Sequence, residues 1–384
     1  MSGSIPASVY GQRLGAAGDA LRDAGAAALL IGVGADLRWL TGYAAMPLER
    51  LTMLVLPADG PPTLLVPRLE LPASLAAPAI ASSVVPVQSW DETEDPIARV
   101  VTATGIHATG EGSEILVSDR LWAMFLLSLQ EALPRARFGL ASRAMRGLRM
   151  VKQREEIELL RRAAHAADRT VDAVAGGRLV GRTEADVARE VGTRLVDEGH
   201  EHAAFWIVAS GRNSASPHHE PTDRVIQAGE PIVLDVGGTI EGYGSDITRT
   251  LWVTGSDGSR PPEPEFLQLY ATLEAAQASG VESVRPGATC ESIDAVCRDP
   301  ITAAGYGEQF IHRTGHGIGL EGHEDPYLVA GNAEPLAVGH AFSVEPGIYL
   351  EGRYGARIED IVVCGATGPD PLNVASHELR VVTG

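Results

Sequence analysis

The chain has 384 residues and a formal net charge of −19 at neutral pH. Its length suits about two domains of roughly 100 to 200 residues each. This acidity argues against nucleic acid as the main partner, because neutralising phosphates requires clustered Lys and Arg.

The sequence also carries expectations about location. The first residues, MSGSIPASVYGQRLG, contain no basic start followed by an apolar core, so no secretory signal is expected. No run reaches the roughly 20 apolar residues that cross a bilayer, which argues against a membrane partner. Cys290, Cys297 and Cys364 form no close-spaced pair, a pattern typical of a reducing compartment. We therefore expect a cytoplasmic protein without disulfides or a thiolate zinc site.

Residues 1–145 predict an α/β domain, because short apolar runs alternate with helical stretches. Helices are predicted at residues 10–22, 96–102 and 119–132, and strands at 27–33, 53–57, 63–67, 84–87 and 114–117.

Residues 146–384 predict helices followed by a pair of strands, and this order occurs twice. The first half has a helix from residue 152 with an apolar stripe, a second helix beginning at Thr183 with Asp186 in a capping box, and strands at 231–238 and 246–253. The second half has helices at 265–281 and 291–304 and strands at 341–349 and 356–364. Pro300 is expected to kink or break the last helix. The repeated order is a hint of internal duplication.

Each strand pair carries two carboxylates. Asp235 in VLDVGG and Asp246 in GSDITRT belong to the first pair, and Glu345 in FSVEPGIYL and Glu359 in GARIEDIVV to the second. A buried carboxylate without a partner is costly, so residues on neighbouring strands suit a shared cation. For Asp246 alone, a salt bridge or turn cap is the simpler interpretation. Strand alternation places Arg357 on the same face as Glu359.

A histidine-containing segment lies between the two pairs. His312, His316 and His323 fall within HRTGHGIGLEGHEDP, where glycines 315, 317 and 319 let the backbone approach a site closely. A single histidine is usually a hydrogen-bonded structural residue, and the cluster makes a metal-ligand role an equal alternative. Two divalent ions would balance the four carboxylates, and this ligand set suits Mn²⁺, Co²⁺, Fe²⁺ or Zn²⁺.

The five motifs VLDVGG, GSDITRT, TGHGIGLEGHEDP, SVEPGIYL and ARIED occur in the order found in a known family. They resemble the M24 metallopeptidases of the prolidase and aminopeptidase P group, which share the "pita-bread" fold with methionine aminopeptidase and creatinase. The resemblance is close from about residue 148 onward, and LRWLTG at residues 37–42 extends it weakly to the first domain. It implies an α/β creatinase-like N-terminal domain, residues 1–145, and an α+β pita-bread catalytic domain, residues 146–384.

The resemblance also implies site roles. Two divalent metal ions, with Mn²⁺ favoured over Co²⁺, Zn²⁺ or Fe²⁺, would be held by a set of five residues: Asp235, Asp246, His316, Glu345 and Glu359. Glu345 would also accept a proton from the attacking water. Substrate contacts and transition-state stabilisation would come from His218 (with His219 a less favoured choice), His323, Arg357, His312 and, from a partner subunit of a homodimer, Trp39.

The implied activity is hydrolysis of the N-terminal Xaa-Pro bond of a small peptide. The choice between a dipeptidase and an aminopeptidase P stays open, and so does the role of Arg357 as carboxylate binder or orienting residue. The alternatives are a hydrolase or lyase of a small amide or osmolyte on the same fold, and a binding relative without catalysis. Methionine aminopeptidase is disfavoured by the long N-terminal domain, and a creatinase by the full ligand set.

Overall fold

The computed structural model describes residues 5–106 and 112–383, which form two compact units. The first unit is Ile5–Arg149, and the second begins at Met150. The domain division predicted after residue 145 falls within a helix, Ser142–Met150. No helix in the described parts of the chain has the length and apolar character needed to cross a membrane.

The first unit is a six-stranded mixed sheet in the order β4-β3-β2-β1-β5-β6. Its strands are β1 Ala28–Gly32, β2 Met53–Pro57, β3 Thr63–Pro67, β4 Val87–Trp90, β5 Glu114–Val117 and β6 Arg137–Leu140. Its helices are α1 Ala7–Asp23, α2 Ala35–Thr41, α3 Leu71–Leu75, α4 Pro78–Ala81, α5 Pro96–Thr104, α6 Ala123–Ala132 and α7 Ser142–Met150. The strands β1 and β2 are buried along their whole length, which explains their continuous apolar sequence.

Two predictions for this unit were wrong in position. The strand predicted at 84–87 lies at Val87–Trp90, because pairing with β3 begins only at Val87. The helix predicted from residue 119 begins at Ala123, after a turn in which the Leu121 amide bonds to the Ser118 carbonyl.

The first half of the second unit packs two helices on a sheet. The elements are α8 Arg154–Ala175, α9 Glu184–Asp197, β7 His202–Ser210, β8 Glu230–Ile240, β9 Tyr243–Gly244 and β10 Ile247–Thr254. Leu195 of α9 and Leu234 of β8 are fully buried within one apolar cluster that joins the helices to the sheet. Burial of each such side chain stabilises the fold by about 1.5–3 kcal/mol. The predicted capping box of Thr183 and Asp186 is confirmed.

The second half also packs two helices on a sheet. Its elements are α10 Pro264–Ser283, α11 Cys290–Ala303, β11 Gly315–Gly317, β12 Glu324–Leu328, β13 Ala341–Val344, β14 Gly347–Leu350, β15 Tyr354–Arg357, β16 Asp360–Cys364 and β17 Pro369–Pro371. The last strand, β18 Arg380–Thr383, returns to the sheet of the first half and pairs with β10. Phe266 and Leu273 of α10 pack against Phe342 of β13 in a second buried cluster. The three cysteines are free and buried.

Two further predictions for the second unit need correction. Of the kink or break predicted at Pro300, the break is wrong, because α11 continues through Pro300 to Ala303. The strands predicted at 341–349 and 356–364 are each split in two, so that β13 pairs with β16 in one sheet while β14 pairs with β15 in another. Glu345 and Glu359 lie at these two breaks, and this position controls the geometry of the site.

Candidate active site

A cavity of about 780 Å³ lies within the second unit. The five residues predicted to hold metal all line it: Asp235, Asp246, His316, Glu345 and Glu359. The structure also brings four of the predicted catalytic and substrate residues to its wall: His218, His312, His323 and Arg357. Apolar side chains, including Phe205, Ile207 and Ile311, line another part of the wall.

The carboxylates converge because the two sheets meet at one point. Asp235 lies in the middle of β8, between Ile207 of β7 and Thr248 of β10. An isolated bridge then joins Thr248 to Glu359, and the Glu359 amide donates to the Thr248 carbonyl at 3.1 Å. The Thr248 hydroxyl also donates to Glu359 Oε2 at 2.7 Å. Thr248 therefore places a carboxylate of the second sheet beside a carboxylate of the first.

His316 enters the same cavity from the short strand β11. A Cβ atom at Gly315 would lie 1.9 Å from the Ser343 carbonyl oxygen, and one at Gly317 would lie 2.2 Å from the Asp325 carbonyl oxygen. Only glycine allows the backbone to pass so close on both sides of the histidine. The Ser343 hydroxyl accepts from the His316 amide and donates to Glu345 Oε1, which ties these two candidate ligands together.

The tautomer of His316 follows from its hydrogen bonds. Nδ1 lies 3.1 Å from the Gly317 carbonyl oxygen, so Nδ1 carries the proton. Burial lowers the pKa of His316 to about 3, so the ring is neutral at neutral pH. Its Nε2 lone pair then faces carboxylate oxygens of Glu345, Asp246 and Glu359 at 3.4, 3.7 and 4.0 Å. Acceptors that face acceptors at these distances repel each other unless a proton or a metal cation lies between them.

The carboxylates show the same need. Asp235 Oδ1, Asp246 Oδ1 and Glu359 Oε1 are buried, and none has a hydrogen-bond partner within the described residues. Burial, reinforced by the other carboxylates, raises the pKa of Asp246 and of Glu359 well above the usual range. One ligand atom each from Asp246, His316 and Glu359 lie within 4.8 Å of one another. This donor set fits a divalent metal ion.

Arg357 donates hydrogen bonds from all three of its side-chain nitrogen atoms. Its Nη2 donates to Asp235 Oδ2, its Nε to the Thr248 hydroxyl at 3.0 Å, and its Nη1 to the Tyr349 hydroxyl at 2.8 Å. Nη1 also lies 3.4 Å from the Pro217 carbonyl. These contacts favour the orienting role for Arg357 over the binding of a substrate carboxylate.

Sequence reasoning missed Tyr349, which links Arg357 to His312. His312 Nδ1 lies 2.8 Å from the Arg313 carbonyl oxygen, so Nδ1 is the donor and Nε2 accepts from the Tyr349 hydroxyl at 2.9 Å. Burial lowers the pKa of His312 to about 4, which keeps the ring neutral. Tyr349 lies in the short apolar strand β14, where Ile348 beside it is buried as well, so no sequence signal singles it out.

The neighbouring histidines 218 and 219 separate in the structure. His218 is exposed and lines the cavity, whereas His219 Nε2 bonds to the buried Glu184 at 2.8 Å. The ring of His323 packs against that of His316 with centroids 3.9 Å apart and planes tilted by 39°, and its Nδ1 accepts from Arg313 Nη2 at 3.2 Å. Because arginine can only donate, a neutral His323 carries its proton on Nε2.

Trp39 belongs to the first unit and is 4% exposed there. The Arg13 guanidinium lies 4.6 Å from the centre of its ring, and Arg13 Nη1 donates to its carbonyl oxygen. A contact with substrate would require the indole to leave this position, and the role given to it by the resemblance stays a prediction.

Comparisons with known proteins agree with this architecture. Residues 158–366 match the profile of metallopeptidase family M24, and residues 13–151 match that of the creatinase/prolidase N-terminal domain. The chain is 45% identical to the "Probable dipeptidase PepE" of Mycobacterium tuberculosis, over 98% of this chain and 97% of that protein. It is 33% identical to the Xaa-Pro dipeptidase of Lactobacillus helveticus, over 90% and 92% of the two chains.

Solved structures agree as well. The dipeptidase PepE of Mycobacterium ulcerans superposes with a TM-score of 0.91 at 46% identity, covering 99% of this chain and all 100% of that one. The prolidase of Thermococcus sibiricus gives 0.88 at 33% identity, covering 97% and 99%. The second unit has the α+β pita-bread fold of these prolidases. The chain therefore belongs to metallopeptidase family M24, in the two-domain form with a creatinase/prolidase N-terminal domain.

Proposed function

We propose that this metallopeptidase hydrolyses the N-terminal Xaa-Pro bond of small peptides at a site for two divalent metal ions. The observation that carries the proposal is a set of buried carboxylate oxygens near the Nε2 lone pair of His316 that have no hydrogen-bond partner in the described part of the chain. Two divalent ions held by Asp235, Asp246, His316, Glu345 and Glu359 would polarise the scissile carbonyl and lower the pKa of a water molecule. Mn²⁺ is the favoured metal, and Co²⁺, Zn²⁺ and Fe²⁺ suit the same donors.

Glu345 would move a proton. The Ser343 hydroxyl donates to one of its oxygens, and burial raises the pKa of Glu345 to about 7 in the metal-free protein. A carboxylate within reach of the attacking water can take its proton and return it to the leaving nitrogen.

Two histidines stabilise the developing charge. His323 presents Nε2–H as a donor, because Arg313 occupies its Nδ1. His218 lies on the same cavity wall, held by a loop that Glu184 anchors through His219. A positioned donor of this kind contributes about 2.7–4 kcal/mol to the stabilisation of a tetrahedral oxyanion.

The cavity also suits a prolyl residue. The prolyl nitrogen in a peptide has no N–H, so a site for it needs apolar walls and no acceptor for that atom. Phe205, Ile207 and Ile311 supply such walls beside the carboxylate cluster. The names of the relatives, Xaa-Pro dipeptidase and prolidase, support the same substrate class.

The direct test measures how fast the Mn²⁺-loaded enzyme hydrolyses three peptides. Ala-Pro and Ala-Pro-Ala contain the predicted bond, and Ala-Ala is the control without proline. Release of alanine from a proline-containing substrate, faster than from Ala-Ala, is expected. Metal binding without turnover of any peptide would point to the binding relative, and hydrolysis of a small non-peptide amide alone would point to the alternative hydrolase.

We also propose that the enzyme is a cytoplasmic homodimer. Three buried free thiols suit a reducing compartment. The dimer rests on the family resemblance, and sedimentation equilibrium measures it directly; a monomer at working concentration would remove the predicted role of Trp39 in a partner's site.

A further inference from the structure

The cavity contains a second guanidinium besides Arg357. Among the described residues that line it, Arg313 and Arg357 are the two that carry a permanent positive charge. The donors of Arg357 are directed to Asp235, Thr248, Tyr349 and the Pro217 carbonyl. A substrate group would have to displace these contacts to bind Arg357.

Arg313 is held differently. Its guanidinium lies 4.3 Å from the centre of the Tyr327 ring and donates one N–H to His323. Stacking on an aromatic face fixes the plane of a guanidinium and leaves its in-plane N–H groups available. Arginine has five N–H donors, and within the described residues the recorded hydrogen bond uses one of them. Arg313 is half-buried, so its charge is only partly screened by water.

Arg313 also lies at a suitable place along the substrate. It contacts His323, whose ring packs against that of the candidate metal ligand His316. In a dipeptide Xaa-Pro, the carbon of the free carboxylate lies two bonds beyond the scissile nitrogen, about 2.5 Å from it. A side chain that binds this carboxylate must therefore be close to the groups that act on the scissile bond. Arg313 meets this condition because it donates a hydrogen bond to His323.

We propose that Arg313 binds the free α-carboxylate of the substrate's C-terminal residue and so directs the enzyme to dipeptides. The inference rests on the proposed peptidase function and adds its specificity. In a longer peptide this position holds a neutral amide, which cannot form a charge-assisted pair with a guanidinium. Loss of one such hydrogen-bonded pair weakens binding by about 10- to 100-fold.

The test compares Ala-Pro with Ala-Pro-amide, which differ only in the charge of the terminal group, in the wild-type enzyme and in Arg313→Gln. The Michaelis constant is measured for each compound, or the inhibition constant where the amide is not cleaved. We expect the wild type to bind Ala-Pro about 10- to 100-fold more tightly than the amide, and Arg313→Gln to lose this preference while binding the amide as before. Arg313→Lys should keep part of the preference, because it keeps the charge.

Arg285→Gln is the matched control, because Arg285 is exposed, does not line the cavity and bonds to the Ser283 carbonyl. It should leave both constants unchanged. An equal loss of kcat for both compounds in Arg313→Gln would mean that Arg313 only positions His323, and an unchanged preference for Ala-Pro would also overturn the inference. If the wild type cleaves no Xaa-Pro peptide, the proposed function itself fails.

Discussion

Glu184 lies outside the candidate metal site, and its buried carboxylate holds the loop that carries His218. It is the first residue of α9, and its side chain is fully buried. Its two oxygens accept from Ser210, Asn213, His219 and Thr222 at distances of 2.8–3.1 Å. These donors come from the end of β7, the short helix after it and the loop that follows. Removing the carboxylate therefore affects every segment around His218.

The size of the effect follows from the pKa of Glu184. Burial alone would raise that pKa, but the bonds from His219, Ser210 and Thr222 lower it from 4.5 to about 2. A shift of this size corresponds to about 3 kcal/mol of stability at neutral pH. Because the folded pKa is the lower one, this stability is complete above the unfolded pKa of 4.5 and is lost as the pH falls towards 2.

Glu184→Gln should remove most of this contribution. The amide has a single acceptor oxygen, and its NH₂ group would face N–H and O–H donors. We expect a loss of about 3 kcal/mol in unfolding free energy at pH 7, a difference that shrinks as the pH falls below about 4.5. Urea denaturation followed by far-ultraviolet circular dichroism at several pH values measures both quantities.

The control is Glu190→Gln on the same helix. Glu190 pairs with Arg182 and Arg194 and is 24% exposed, so its loss should cost about 1 kcal/mol or less. Equal losses for the two variants, or a Glu184→Gln deficit that does not depend on pH, would refute the account of Glu184.

Three further changes test the site. Asp246→Asn should lower the amount of bound metal measured by mass spectrometry, and unchanged metal content would contradict the ligand assignment. The same change should raise the melting temperature of the metal-free protein by about 2–4 °C, because it removes one of several buried carboxylates that repel each other. Tyr349→Phe should cost about 1–3 kcal/mol in unfolding free energy, because it leaves His312 Nε2 and an Arg357 N–H unpaired, and a neutral result in chemical denaturation would argue against that network. Gly317→Ala should destabilise by about 1–3 kcal/mol in calorimetry through its clash with the Asp325 carbonyl, whereas Gly322→Ala, where a Cβ meets nothing within 4 Å, should not.

The sequence predicted the residues of the site better than it predicted the positions of the strands. The carboxylates and His316 stand out because they interrupt apolar or glycine-rich runs, and the structure brings them to one cavity. The order of helices and strands was also predicted in outline. Strand β7 was not predicted, although its sequence HAAFWIVAS is an apolar run with two aromatic residues, which is a signal for a strand.

Arg313 and Glu184 could not be assigned from sequence for a different reason. The role of each residue depends on a contact made in the folded chain: Arg313 packs on the Tyr327 ring, and Glu184 accepts from the Ser210 amide. A half-buried arginine in HRTGHG and a glutamate that begins a helix both have ordinary local explanations, namely solvation and favourable interaction with the helix dipole. Only the tertiary contacts show that these two residues have other roles.

The breaks in the two predicted strands show why a site of this kind needs irregular backbone. In one regular strand, alternate residues face the same side, so Glu345 could share a sheet face with Ser343 but could not also meet residues of a second sheet. At Glu345 and Glu359 the chain leaves one sheet for another, and the Glu345 amide bonds to the Thr314 carbonyl while the Glu359 amide bonds to that of Thr248. These two hydrogen bonds direct both carboxylates towards the seam where the sheets meet. A substitution that favoured continuous strands would keep every ligand in the sequence and still disperse the site.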